Sequence, residues 1–90
     1  MTKEQLIDIF ARFILENSDK DKYFYPKDVQ FRGRNVFSIH YSKLYDDYEI
    51  YTEEELNSEK EEIDEYCFYY FKDLSFSEIN TLYLDCTRRK

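Results

Sequence analysis

His40 is the sequence's one imidazole, and Ser38 stands two positions before it. A serine nucleophile needs a base within hydrogen-bond reach and a third group that orients the base. Here both residues belong to one alternating stretch, which makes them neighbours on a strand surface. His40 is expected in solvent, on the face opposite Phe37 and Ile39. Cys67 and Cys86 lie far apart without CxxC spacing, and they suit small core hydrophobes kept as thiols. Asp19-Lys20-Asp21 opens like a calcium loop. Phe24, however, stands where that loop requires glycine, and Gln30 where it requires its closing glutamate. Two cysteines and one histidine at no familiar spacing do not make a zinc site. Paired carboxylates for glycoside chemistry would need a cleft that a chain this short rarely encloses. A single glycine excludes a glycine-rich phosphate loop. The expectation is a protein that is not an enzyme, with no catalytic residue, no metal and no cofactor.

The elements that carry these residues follow from local signals. Thr2 with Gln5 forms a capping box, and Leu6, Ile9, Phe10, Phe13 and Ile14 repeat at helical spacing behind it. That predicts a helix over 3–16, closed by the polar run Asn17 to Lys22. The period then changes to two. Val29 and Phe31, the turn residues Arg32-Gly33-Arg34-Asn35, and Val36 to Tyr41 read as a hairpin, with Phe37, Ile39 and Tyr41 on one face. Tyr48 to Tyr51 reads as a third strand. Thr52 with Glu55 and Ser58 with Glu61 are two further capping boxes. Behind them Leu56, Ile63, Cys67, Tyr70 and Leu74 form an apolar stripe, which predicts a second helix. Ser75 with Glu78 caps a last one, carrying Phe76, Ile79, Leu82, Tyr83 and Cys86. The sequence therefore predicts one domain over 1–90 with an α+β fold. Its order would be α-β-β-β-α-α, a three-stranded antiparallel sheet packed against helices.

The net charge of −7 is unevenly spread. Residues 1–45 hold eight Lys/Arg and six Asp/Glu, whereas residues 46–90 hold five and fourteen, so +2 is followed by −9. Residues 46–65 alone carry eleven acids and one base, Lys60. On the predicted second helix, Glu54, Glu61 and Glu65 fall opposite the apolar stripe, flanked by Glu55 and Glu62. Phe68 and Tyr69 also point away from the stripe, beside those acids. Asp46, Asp47 and Glu49 extend the field onto the third strand. A purely solvating face would lack large rings, whereas aromatic anchors beside charge are typical of interfaces. The expected partner-binding residues are Asp46, Asp47, Glu49, Glu54, Glu61, Glu62, Glu65, Phe68 and Tyr69.

The run DDYEIYTEEELNSEKEEIDE, in a chain of this size and element order, resembles the small phage-encoded DNA mimics. These include anti-CRISPR proteins, anti-restriction proteins and inhibitors of uracil-DNA glycosylase. The resemblance implies a non-catalytic inhibitor or adaptor that occupies the nucleic-acid groove of a basic host protein, with carboxylates where phosphates would sit. The basic tail Arg88-Arg89-Lys90 and the near-neutral first half confine such mimicry to one face. An acidic chain is a poor direct ligand of nucleic acid. The alternatives are a self-associating accessory protein, in which the aromatics bury in a homodimer, and a nucleic-acid binder using Lys27, Arg32, Arg34 and His40. With no signal peptide and no membrane-spanning run in the sequence, the expected location is the cytoplasm of a bacterial host.

Overall fold

The computed structural model describes residues 1–54 and 65–88. The first helix, α1, spans Lys3–Asn17 and starts where the capping box places it. Gln5 N–H donates to Thr2 Oγ1 at 3.1 Å, and Thr2 N–H donates to Gln5 Oε1 at 2.8 Å. Leu6, Phe10 and Ile14 form its buried stripe. Beyond it, Asp19 Oδ1 accepts from the N–H groups of Asp21 and Tyr23, so this acid folds a turn of its own chain. Phe24 then bridges to Ile39, with N–H to O distances of 3.0 and 2.9 Å.

Strand β1, Gln30–Phe31, and strand β2, Arg34–Ser42, join through Arg32 and Gly33, both at positive φ (55° and 78°). Two consecutive left-handed residues make the turn that matches strand twist, and this explains a glycine here. Strand β3, Asp47–Glu54, returns antiparallel to β2. Where a second helix is expected, the chain instead forms a fourth strand, β4, over Glu65–Tyr70, paired antiparallel with β3. A 3₁₀ turn, Phe71–Asp73, leads to helix α2, Phe76–Thr87. The sheet order is β1-β2-β3-β4, and the chain runs α-β-β-β-β-α.

The fold is thus α+β, as the sequence indicates, but with four strands and two helices among the described residues rather than α-β-β-β-α-α with three strands. The stripe Cys67, Tyr70, Leu74 is consistent with a helix by spacing alone. Tyr66 to Tyr70 is, however, a short run with four β-favouring rings, which periodicity cannot distinguish from a helix turn. Thr52 is not a helix cap. It lies fully buried in β3, where its hydroxyl donates to Cys67 O and accepts from Arg34 Nε, both at 3.0 Å. The Ser58–Glu61 box lies outside the described residues.

One core joins both helices to one face of the sheet. Phe10, Ile14, Val29, Ile39, Ile50, Phe71, Leu74, Ile79 and Leu82 are all buried in it. Phe10 stacks on Phe71 at 5.2 Å between centroids and meets Tyr83 edge-on at 5.3 Å. The second capping box is also present, Ser75 with Glu78. The Glu78 carboxyl is held below the usual carboxylate range, first by the Ser75 backbone N–H and then by Arg32. Arg32 Nε and Nη2 reach its two oxygens at 2.9 and 3.1 Å.

Candidate functional site

The helices cover one face of the sheet, and the other face carries the candidate site. Register places Ser38, Tyr51 and Phe68 in one row across β2, β3 and β4, and His40, Glu49 and Tyr70 in the next. A shift between Val36 and Ser38 makes Phe37 the extra residue of a β-bulge. The bulge overturns part of the expected strand face. Val36 and Ile39 are buried and Phe37 turns outward, whereas Tyr41 stays on the Ile39 side, exposed but edge-on to Tyr48, which stacks on the core ring Phe71.

Rings dominate this outer face. Tyr25 meets Phe37 edge-on (5.6 Å, 77°), and Phe37 meets Tyr51 edge-on (5.4 Å, 87°). Tyr51 stacks on Phe68 at 5.0 Å with planes 14° apart. Tyr23 stacks on Tyr25 at 6.2 Å and on His40 at 4.3 Å. Tyr25, Phe37 and Phe68 remain 50%, 46% and 50% exposed. An antiparallel sheet normally turns polar side chains toward water, so this array is not what solubility requires. Together with Ser38, His40 and Glu49, these five rings line a cleft of ≈ 230 Å³.

The second row is polar and connected. Tyr70 OH donates to Glu49 Oε2 at 2.7 Å, and His40 Nε2 lies 3.4 Å from Glu49 Oε1. The Tyr70 phenol is pushed up to about 12, chiefly because its proton is held by the Glu49 carboxylate. His40 is therefore not a solvated side chain but is only 20% exposed, packed between Tyr23 and Glu49. Its Nδ1 is buried without a hydrogen-bond partner among the described residues. Ser38 is buried too, and no nucleophile–base bond forms between it and His40.

The expected partner-binding residues separate into groups. Glu49 and Phe68 meet on the outer face, both lining the cleft. Glu54 and Glu65 are register partners at the end of the β3–β4 ladder. Asp46 sits at positive φ (54°) in the β2–β3 connection and accepts from the Tyr41 hydroxyl. Asp47 is buried and committed to the fold, its oxygens accepting from Tyr48 N–H at 2.7 Å and Lys72 N–H at 2.8 Å. Tyr69 faces away from Phe68, because adjacent strand residues point to opposite sides. It packs edge-on against Phe31 at 5.1 Å, with the Arg32 guanidinium 5.0 Å above its ring. Glu61 and Glu62 lie outside the described residues.

Sequence reasoning passes over Tyr23, Tyr25, Phe37, Tyr51, His40 and Tyr70 as members of one surface. Their signal is the alternation in Tyr23-Phe24-Tyr25, Glu49-Ile50-Tyr51 and Phe68-Tyr69-Tyr70, where the middle residue turns inward. A larger depression of ≈ 540 Å³ lies between Lys27–Asn35 and the end of α2. It is lined by charges of both signs and by no ring. Among the described residues no group of three or more His, Cys, Asp or Glu side chains could hold a metal ion, and no helix is long and apolar enough to cross a membrane. No protein-family model matches the chain, and no curated protein or solved structure matches it either.

Proposed function

We propose that the chain is a non-catalytic binding protein, an inhibitor or adaptor, whose outer sheet face and adjoining acidic stretch seat on a basic, nucleic-acid-binding protein. The observation that carries this reading is the ring array Tyr25–Phe37–Tyr51–Phe68, half exposed at Tyr25, Phe37 and Phe68 and bordered by Glu49 of β3. Exposed contiguous apolar surface costs solubility, and where it persists it marks an interaction site. Rings of this kind are the usual energetic anchors of interfaces. The acids supply the sign of the partner, since the −10 of residues 46–65 attracts a cationic surface and repels an anionic one.

Grooves that hold single-stranded nucleic acid combine cations along the backbone with platforms for stacked bases. A surface offering carboxylates beside flat rings addresses both features, which is the physical content of mimicry. Direct nucleic-acid binding through the hairpin has less support. Arg32 is engaged by Glu78, Arg34 by Thr52 and His40 by Glu49, all within the chain.

The test is binding to a panel of purified proteins: an RNA-guided nuclease, a restriction endonuclease and a uracil-DNA glycosylase. Titrations run at about 0.1 M and about 1 M salt, between which the screening length falls from about 10 to about 3 Å. Binding to a panel member should weaken steeply with salt and be competed by its own nucleic acid. Salt-insensitive binding that nucleic acid does not compete would sink the reading. Self-association that strengthens with salt would replace it with the homodimer.

A further inference from the structure

We propose that the cleft between Tyr25, Phe37, Tyr51 and Phe68 receives an arginine side chain presented by the protein partner, with Glu49 as the counter-charge at its base. The inference rests on the reading of this face as a surface for a basic protein, and it names what that surface recognises.

Size comes first. Sites that enclose whole small molecules run to roughly 300–1,000 Å³. A cleft of ≈ 230 Å³ suits the end of one side chain better. Its walls then select for charge. Phe37 stands nearly perpendicular to both Tyr25 and Tyr51, and Phe68 lies parallel to Tyr51, so rings of several orientations border one space. The negative faces of aromatic rings attract a cation, and a planar guanidinium can also stack on them.

The base of the cleft selects for a donor. Glu49 is only 15% exposed, and its carboxylate accepts from Tyr70 and faces His40 Nε2. A carboxylate has about four lone-pair sites, so acceptor capacity is left. His40 supplies the second requirement. Nε2 lies 3.4 Å from Glu49 Oε1, and Nδ1 is buried with no hydrogen-bond partner among the described residues. Such an orphan is costly unless a ligand supplies the partner. Guanidinium presents five N–H donors in a rigid fork that matches a carboxylate such as Glu49. An ammonium is a compact point charge, more strongly hydrated, and fits this geometry less well. None of the residues lining the cleft is a lysine or arginine, so no cation of the described chain occupies it.

The experiment titrates capped Gly-Arg-Gly, Gly-Lys-Gly and Gly-citrulline-Gly peptides into the full chain and follows the aromatic proton resonances by NMR. Citrulline keeps the shape of arginine and removes its charge. The arginine peptide should move the Tyr25, Phe37, Tyr51 and Phe68 rings saturably. The citrulline peptide should bind at least about tenfold more weakly, with lysine in between. Glu49→Gln should weaken the arginine peptide about tenfold. Phe68→Leu, at an exposed rim position, should also weaken it while thermal melting stays unchanged. Equal binding of arginine and citrulline, lysine matching arginine, or the absence of ring shifts would each overturn the proposal. If the peptides fail while a basic protein still binds with salt-sensitive, nucleic-acid-competed affinity, only the arginine cleft falls. If both fail, the reading of the face falls with it.

Discussion

Asp47 and Glu53 belong to the same acidic stretch and do different work. Glu53 lies near the far end of β3, partly exposed, in register with Asn35 and Tyr66. Asp47 is buried, and both its oxygens accept backbone N–H groups, one of which tethers the start of the 3₁₀ turn to the start of β3. A count of carboxylates along the chain cannot separate these roles, because the partner of Asp47 is Lys72, distant in sequence. The same holds for Glu49, whose value to the face depends on His40 and Tyr70 arriving from two other strands. Charge-assisted hydrogen bonds contribute about 1.5–3 kcal/mol, and removing the acceptor strands buried donors. Asp47→Ala should therefore destabilise the chain by about 2–3 kcal/mol in urea unfolding, whereas Glu53→Ala should stay within about 0.5 kcal/mol. Equal effects from the two would contradict the division of the acids into structural and surface members.

Elements whose signals are local are legible in the sequence. Both helices follow from a reciprocal capping box with an apolar stripe behind it, and both start where those residues place them. The hairpin turn is legible for the same reason, since the one glycine sits where φ must be positive. Strand β4 and the bulge are not legible. Glu65 to Tyr70 becomes a strand because β3 is there to pair with it, a non-local condition that short apolar runs do not reveal. The bulge at Phe37 reverses the inward–outward alternation on one side, and only the β3 partner exposes it. Half of the candidate face depends on these two features, which is why the sequence yields Glu49 and Phe68 and passes over the rings that join them. The capping signals carry a measurable consequence. Ser75→Ala removes the acceptor for Glu78 N–H and should cost about 1 kcal/mol. In thermal unfolding that is a Tm lower by about 4–8 °C, with Ser75→Asp close to wild type. An unchanged Tm in the alanine variant would remove the cap from the account of α2.

At the scale of the whole molecule, the charge asymmetry and the ring array reinforce one another. The chain carries +2 in its first half and −9 in its second, Glu49 of β3 borders the aromatic sheet face, and the helices on the opposite side of the sheet bury the core. The two surfaces differ in chemistry, so a complex must choose between them. The most direct measurement is hydroxyl-radical footprinting of the chain alone and bound to the basic protein that the salt-dependent titrations identify. Tyr25, Phe37 and Phe68 on the sheet face should lose reactivity on binding. Leu15 and Leu84, exposed at 54% and 46% on the two helices, should keep theirs. Protection of the helix leucines with the three rings unchanged would contradict the assignment of the sheet face as the binding surface.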